Sequence, residues 1–231
     1  MFDPNPGKKL TIDVQGATYA RLPIKTHVIK QGDDILAVAR KYAVPFLQKN
    51  DYIFISERIV AITQGRAYPI KDIRPSLLAN FLSRFVTKSP HGIGIGSPWT
   101  MELAIREAGV FRIFLGILAA AVTKPLGIKG VFYRVCGKGV SAIDGPCSYT
   151  LPPYNAYAKL GPREPDTVAQ SIKAAFGHEC VIIDANDLGV SVLGKSSPDI
   201  SDDFAIAVFR DNPLGQSLEQ TPIAIVRKIS E

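Results

Sequence analysis

In the stretch CVIIDANDLGVSVLG, residues 180–194, an apolar run from Val181 to Ile183 is followed at once by Asp184, Asn186 and Asp187. Such a run suits a strand buried on both faces, so the acids emerge at its carboxyl end, where sheets flanked by helices form clefts. Carboxylates crowded there repel one another unless a cation separates them. Hard oxygen donors of this kind take Mg²⁺ or Mn²⁺. The same residues also suit an Asx-turn, with Asn186 and Asp187 bonded to local backbone. Asp144, ahead of Gly145-Pro146, is another acid behind a β-like run, and a plain turn accounts for it equally.

Two further groups offer anion chemistry. HGIGIGSPW brings His91, Gly92, Gly94, Gly96 and Ser97 to the start of a helix. Glycines let a phosphate approach the backbone, and the free N–H groups of a helix start attract it. The alternative is a surface loop whose Ser97 merely caps the helix. Arg58 and Arg66, in ISERIVAITQGR, suit a clamp on phosphate or carboxylate, whereas Glu57 reads as a solvated face residue. The chain has no GxSxG, Walker loop or GxGxxG after a strand, which argues against the standard hydrolase and nucleotide folds.

The elements that must hold these residues are only partly periodic. KLTIDV, the stretch around TYARLPIKTHVI, the whole of DYIFISERIVAIT, KGVFYRVCG, CVIID, FAIAVF and PIAIVRKI are expected as strands. Helices are expected over DILAVARKYAVPFL, capped by Asp33 or Asp34, over PSLLANFLSRFV, and after Ser97-Pro98 with a stop at Gly109. Val110 to Val122 reads as a buried helix, and DTVAQSIKAAF as a helix capped by Asp166 and closed by Gly177. Asp144 falls in a Pro- and Tyr-rich loop. No regular βαβ rhythm appears, so the expected class is α+β, with mixed or antiparallel sheets and helices. We expect one unit over 1–231, divisible into subdomains near 1–90 and 91–231.

The totals narrow the partners. The 231 residues are 46% hydrophobic and 21% charged, enough apolar matter for a real core. A net charge of +6 suits anionic small molecules, but the basic residues form no tract, which argues against nucleic acid. The polar start has no apolar leader segment, and the Val110 run is too short to span a bilayer, so no membrane partner is expected. Three cysteines without a CxxC pair fit a reducing cytoplasm and argue against structural zinc.

These blocks, in this order, resemble the coenzyme F-420-0:gamma-glutamyl ligases. The family's "PGDDL" and "DGDVLVVTSKIVSKAEGR" are echoed by QGDDIL and NDYIFISERIVAITQGR. Its "ANAGVD" block and "LP.DPD.SA..IR" helix are echoed by SAIDGP and LGPREPDTVAQSIKAAF. Its "VAVIITDTFGRPWR" is similar to CVIIDANDLGVSVLG, and its "DPFGRELRVT" to DNPLGQSLEQT. Departures lie at the acidic turn, which is one residue longer here, and at the "GRPWR" arginines. Val190 follows Gly189 instead, and Lys195 is the nearest cation.

The resemblance implies an α+β fold and an intertwined homodimer. It implies a ligase that joins L-glutamate to the carboxylate of a phosphorylated deazaflavin acceptor, using GTP with Mg²⁺ or Mn²⁺ and a monovalent cation such as K⁺, through an acyl phosphate. Carried onto this chain, it implies metal ligands at Asp144 and at one or more of Asp184, Asn186 and Asp187, of which we assign Asp184 and Asp187. From the residues themselves rather than from the resemblance, Arg58 and Arg66 are assigned to the acceptor's phosphate or carboxylate, Asn186 to the catalytic set as an assistant to the metal, and His91, Gly92, Gly94, Gly96, Ser97 and Lys195 to the nucleotide. The missing arginines leave open a divergent ligase acting on another phosphorylated acid, or a non-catalytic nucleotide- or metabolite-binding protein.

Overall fold

The computed structural model describes residues 2–86, 94–128, 130–186 and 189–230. The chain divides into two compact units, Met1–Gln64 with Glu164–Glu231, and Gly65–Arg163. It enters the first unit through β1 (Thr11–Val14), β2 (Ala17–Ile24), α1 (Ile35–Tyr42), β3 (Tyr52–Ser56) and α2 (Glu57–Thr63). The second unit contains β4 (Ala67–Pro69), α3 (Leu77–Leu82), α4 (Pro98–Ala108), α5 (Val110–Thr123), α6 (Val131–Cys136), α7 (Lys138–Ser141) and β5 (Tyr157–Lys159). The chain then returns to the first with α8 (Pro165–Phe176), β6 (Glu179–Asn186), β7 (Gly189–Lys195), α9 (Asp202–Phe209) and β8 (Ile223–Ser230).

In the first unit the described strands form one mixed sheet in the order β1-β2-β8-β3-β6-β7. β3 and β6 run parallel, and the other neighbours antiparallel. This agrees with the α+β expectation of a mixed sheet with helices. Alternation sorts the side chains onto two faces. Phe54, Val181, Ile183, Ala224 and Val226 join Phe204, Val208 and Phe209 of α9 in one core. Their neighbours Ile53, Ile55, Cys180 and Ile182 point the other way and are fully buried.

Three expected strands are helices. ERIVAIT continues β3 as α2 because Ser56 accepts the Arg58 N–H (3.4 Å) and starts a helix, whose Ile59, Val60 and Ile62 are buried. FAIAVF lies in α9, where Ser201 caps the helix and Asp202 and Asp203 fill its first turn. VFYRVC is α6. Here β propensity yields to packing on α5, where Gly116 leaves room for Cys136 and Phe132. Asp166 is not a cap either. Glu164 holds that position with φ 45°, and Asp166 lies in the first turn, its Oδ1 accepting the Lys195 N–H at 2.8 Å. The Val110 segment is a helix as expected, but only Ile113 and Gly116 of it are buried. β7 was not foreseen.

Arg21 on β2 is 1% exposed and ties this unit together. It donates to Val208 O (3.1 Å), to Lys9 O (2.6 Å) and to both oxygens of Asp211. Burial alone would raise the Asp211 carboxyl, but hydrogen bonds from Arg21 and its charge outweigh burial and hold it below the ordinary value. A depressed folded pKa stabilises above the unfolded value, about pH 4, and that stabilisation vanishes as pH falls through the folded pKa. Asp211 is partly open to solvent, so Asp211→Asn is expected to cost about 1 kcal/mol at neutral pH. The gap to wild type closes in acid. Urea midpoints measured from pH 7 downwards check both the size and the closure.

Candidate functional site

The parallel pair β3/β6 places its carboxyl ends side by side, with Ser56 opposite Ile183. At that edge β3 turns into α2, carrying Glu57 and Arg58, and β6 carries on to Asp184 and Asn186. These two therefore lie within the strand rather than beyond it. Asp184 pairs with Ser191 and Asn186 with Gly189, because β6 and β7 form an antiparallel pair. The alternation that buries Cys180 and Ile182 puts Asp184 and Asn186 on the same face as those residues. The Asn186 Nδ2 donates to Asp184 Oδ1 at 3.4 Å, and both side chains are half-buried. Glu57, expected to be solvated, is 3% exposed. Its acid character was visible in the sequence, but its burial follows from the helix that sequence reading took for a strand.

The structure thus brings Arg58, Asp184 and Asn186 to one edge of the sheet. Lys195 is not with them. It pairs with Val181, and its ammonium donates to Ile200 O and meets Asp202 Oδ1, both at 2.7 Å. Asp187, His91 and Gly92 lie outside the described residues.

The remaining residues belong to the second unit. There β4 pairs with β5, and Asp144 bridges to Lys159 from the other side of β5. The Lys159 side chain is nearly sealed from solvent. Its Nζ lies 3.2 Å from Asp144 Oδ2 and donates to Ala142 O at 3.2 Å. Arg66 is likewise buried, with Nε donating to Gly161 O (2.6 Å) and Nη2 to Glu107 Oε1 (2.7 Å). Lys159 and Glu107 escaped sequence reading because nothing local marks them. Their significance appears only when β5 and α4 deliver them to Asp144 and Arg66. Gly94 makes a turn at φ 46° and Gly96 is buried. Ser97 caps α4 in a reciprocal box, its Oγ accepting the Thr100 N–H at 3.2 Å while Thr100 Oγ1 accepts the Ser97 N–H at 3.2 Å.

Among the described residues, no group of three or more His, Cys, Asp and Glu side chains is placed to hold a metal. Asp184 and Asn186 nevertheless offer a carboxylate and an amide oxygen on one face. Magnesium usually takes one or two protein carboxylates and completes its shell with water and phosphate. The pair fits that modest requirement. It does not suit zinc, which prefers nitrogen and sulfur donors.

A mixed sheet that carries an acid, an amide and a cation at the ends of its parallel strands defines an α+β protein with a polar cluster where such sheets form clefts. The sequence model of the F420-0:gamma-glutamyl ligases matches residues 23–193, and the chain belongs to that family. Comparison with curated proteins gave no match.

Proposed function

We propose that the chain is a GTP-dependent ligase that joins the amine of L-glutamate to the carboxylate of a phosphorylated acceptor of the coenzyme F420-0 kind. The observation that carries this reading is the placement of Asp184 and Asn186 at the end of β6, inside the span matched to the ligase family. The acceptor carboxylate attacks the γ-phosphorus and GDP leaves. The glutamate nitrogen then attacks the acyl carbon of the resulting acyl phosphate, phosphate leaves, and the nitrogen loses a proton. Asp184 and Asn186 would hold Mg²⁺ or Mn²⁺, which supplies charge neutralisation between the phosphate oxygens and the carboxylates. Arg58, at the start of α2, orients the acidic acceptor. The pairs Arg66–Glu107 and Asp144–Lys159, whose cations are buried, stabilise the second unit. The same reading carries a homodimer, a cytoplasmic setting and a supporting monovalent cation such as K⁺.

The assay supplies GTP, Mn²⁺, L-glutamate and the deazaflavin acceptor, and follows phosphate release together with the acceptor's mass. The expected result is one phosphate released per glutamyl group added, with none released when Mn²⁺ is withheld. Phosphate release with other phosphorylated carboxylic acids, but not with the deazaflavin, would establish the divergent ligase instead. The engagement of Lys195 with Ile200 O and Asp202 favours that second reading, because it occupies the cation nearest the acidic stretch. Nucleotide binding without phosphate release from any acceptor would sink both.

A further inference from the structure

Helix α5 is apolar on two sides. Ile113 and Gly116 are buried, and Phe111, Phe114, Leu115, Leu118 and Val122 recur at helical spacing on the opposite side. That outer stripe is open to solvent: Phe111 is 74% exposed, Leu118 63% and Val122 62%. Isolated exposed apolar residues are ordinary, but a continuous stripe along a helix marks an interaction surface. The segment that carries it has charges of one sign. From Ala108 to Ile143 the sequence has no Asp or Glu, but it has Arg112, Lys124, Lys129, Arg134 and Lys138. Arg112, Lys124 and Arg134 are exposed.

We propose that the outer stripe of α5 docks on an anionic lipid surface, with the helix lying in the plane of the headgroups. The apolar stripe enters the acyl boundary, and the surrounding cations remain among the phosphates, as at other interfacial helices. The helix covers about 21 Å at 1.5 Å per residue, short of a hydrocarbon core about 30 Å thick. No helix among the described residues is long and apolar enough to cross a membrane. Charge decides between lipid and a second copy of the chain. Two copies joined through this segment would bring Arg112, Lys124 and Arg134 toward their counterparts with no acid of the segment between them, whereas anionic headgroups complement all three.

Co-sedimentation of the full chain with phosphatidylcholine vesicles, with and without phosphatidylglycerol, tests this. Binding is expected on the anionic vesicles, at least about tenfold weaker on neutral ones, and weaker again as salt rises. Leu118→Asp with Val122→Asp should abolish it. Lys124→Glu with Arg134→Glu should weaken it about tenfold while leaving the apolar stripe intact. Because the altered side chains are exposed, the thermal midpoints of both variants should stay near wild type. The charge variant also keeps the test open if the first variant fails to fold. Absence of binding to anionic vesicles, or binding that neither variant changes, overturns the proposal. A dimer in sedimentation velocity that the stripe variant converts to monomer also overturns it, because the stripe is then an interface between copies.

Discussion

Asp184→Asn is expected to abolish Mn²⁺-dependent nucleotide binding and to cut turnover about a hundredfold or more, while the thermal midpoint barely moves. The substitution keeps the size of the side chain and one oxygen, and removes only the negative charge. Asp184 is half-buried at the end of β6, not sealed in the core, so folding does not depend on its charge. A divalent ion held there against phosphate would depend on it, because Asn186 beside it offers only a neutral amide. Asn186→Ala should therefore have the smaller effect, about tenfold, through loss of one neutral donor oxygen. Lys195→Met makes an informative contrast. It releases Ile200 O and Asp202 and should lower stability, yet leave Mn²⁺ binding intact. Calorimetric titration with Mn²⁺ and GTP, alongside thermal melts, separates the outcomes. If Asp184→Asn lowers the midpoint as much as it weakens binding, the acid is a fold element and the metal reading fails.

The sheet was more legible than the helices, and the reason is local. β6 and the first half of β8 are apolar runs, and any sheet that buries both faces demands them. The starts of α1 and α4 were equally plain, since Asp34 and Ser97-Pro98 are capping signals that act within their own turn. ERIVAIT and FAIAVF failed because a short apolar run satisfies strand and helix templates alike. The capping residues Ser56 and Ser201 were there to decide, one residue ahead of each helix. VFYRVC carried no such signal, and its helix comes from contact with α5. For the site, Asp184 and Asn186 stood out as polar residues behind an apolar run. Their company with Arg58 did not, because that follows from the parallel pairing of β3 with β6, between strands more than a hundred residues apart. Arg66 and Asp144 look alike as isolated charges in the sequence. Their partners Glu107 and Lys159 are long-range products of folding.

Gly194→Ala should cost about 3 kcal/mol or more and lower the thermal midpoint by about 10 °C. Gly194 lies on β7 opposite Ile182, beneath the first turn of α8. A Cβ there would overlap Pro165 C and stand 2.6 Å from both Asp166 N and Pro165 O. These are backbone atoms, so no rotamer change relieves the overlap, and the helix start itself must lift. The Lys195 N–H donated to Asp166 would stretch, and the fully buried Ala169 and Ile172 of α8 would lose contact with the sheet. Gly116→Ala sets the scale. Its Cβ would meet Cys136 Sγ at 2.7 Å and Phe132 Cδ2 at 3.0 Å, and side chains are able to turn aside. That variant should cost about 1 kcal/mol, and Cys136→Ala should restore much of the loss. Truncating a neighbouring side chain cannot rescue Gly194→Ala, since the obstacle is the main chain. Asp184 continues the strand two residues beyond Ile182, so a shift of α8 also disturbs the face that carries the acid. Thermal melts of the three variants decide the matter, and a Gly194→Ala midpoint within about 2 °C of wild type would mean that α8 rides more loosely on the sheet than its packing implies.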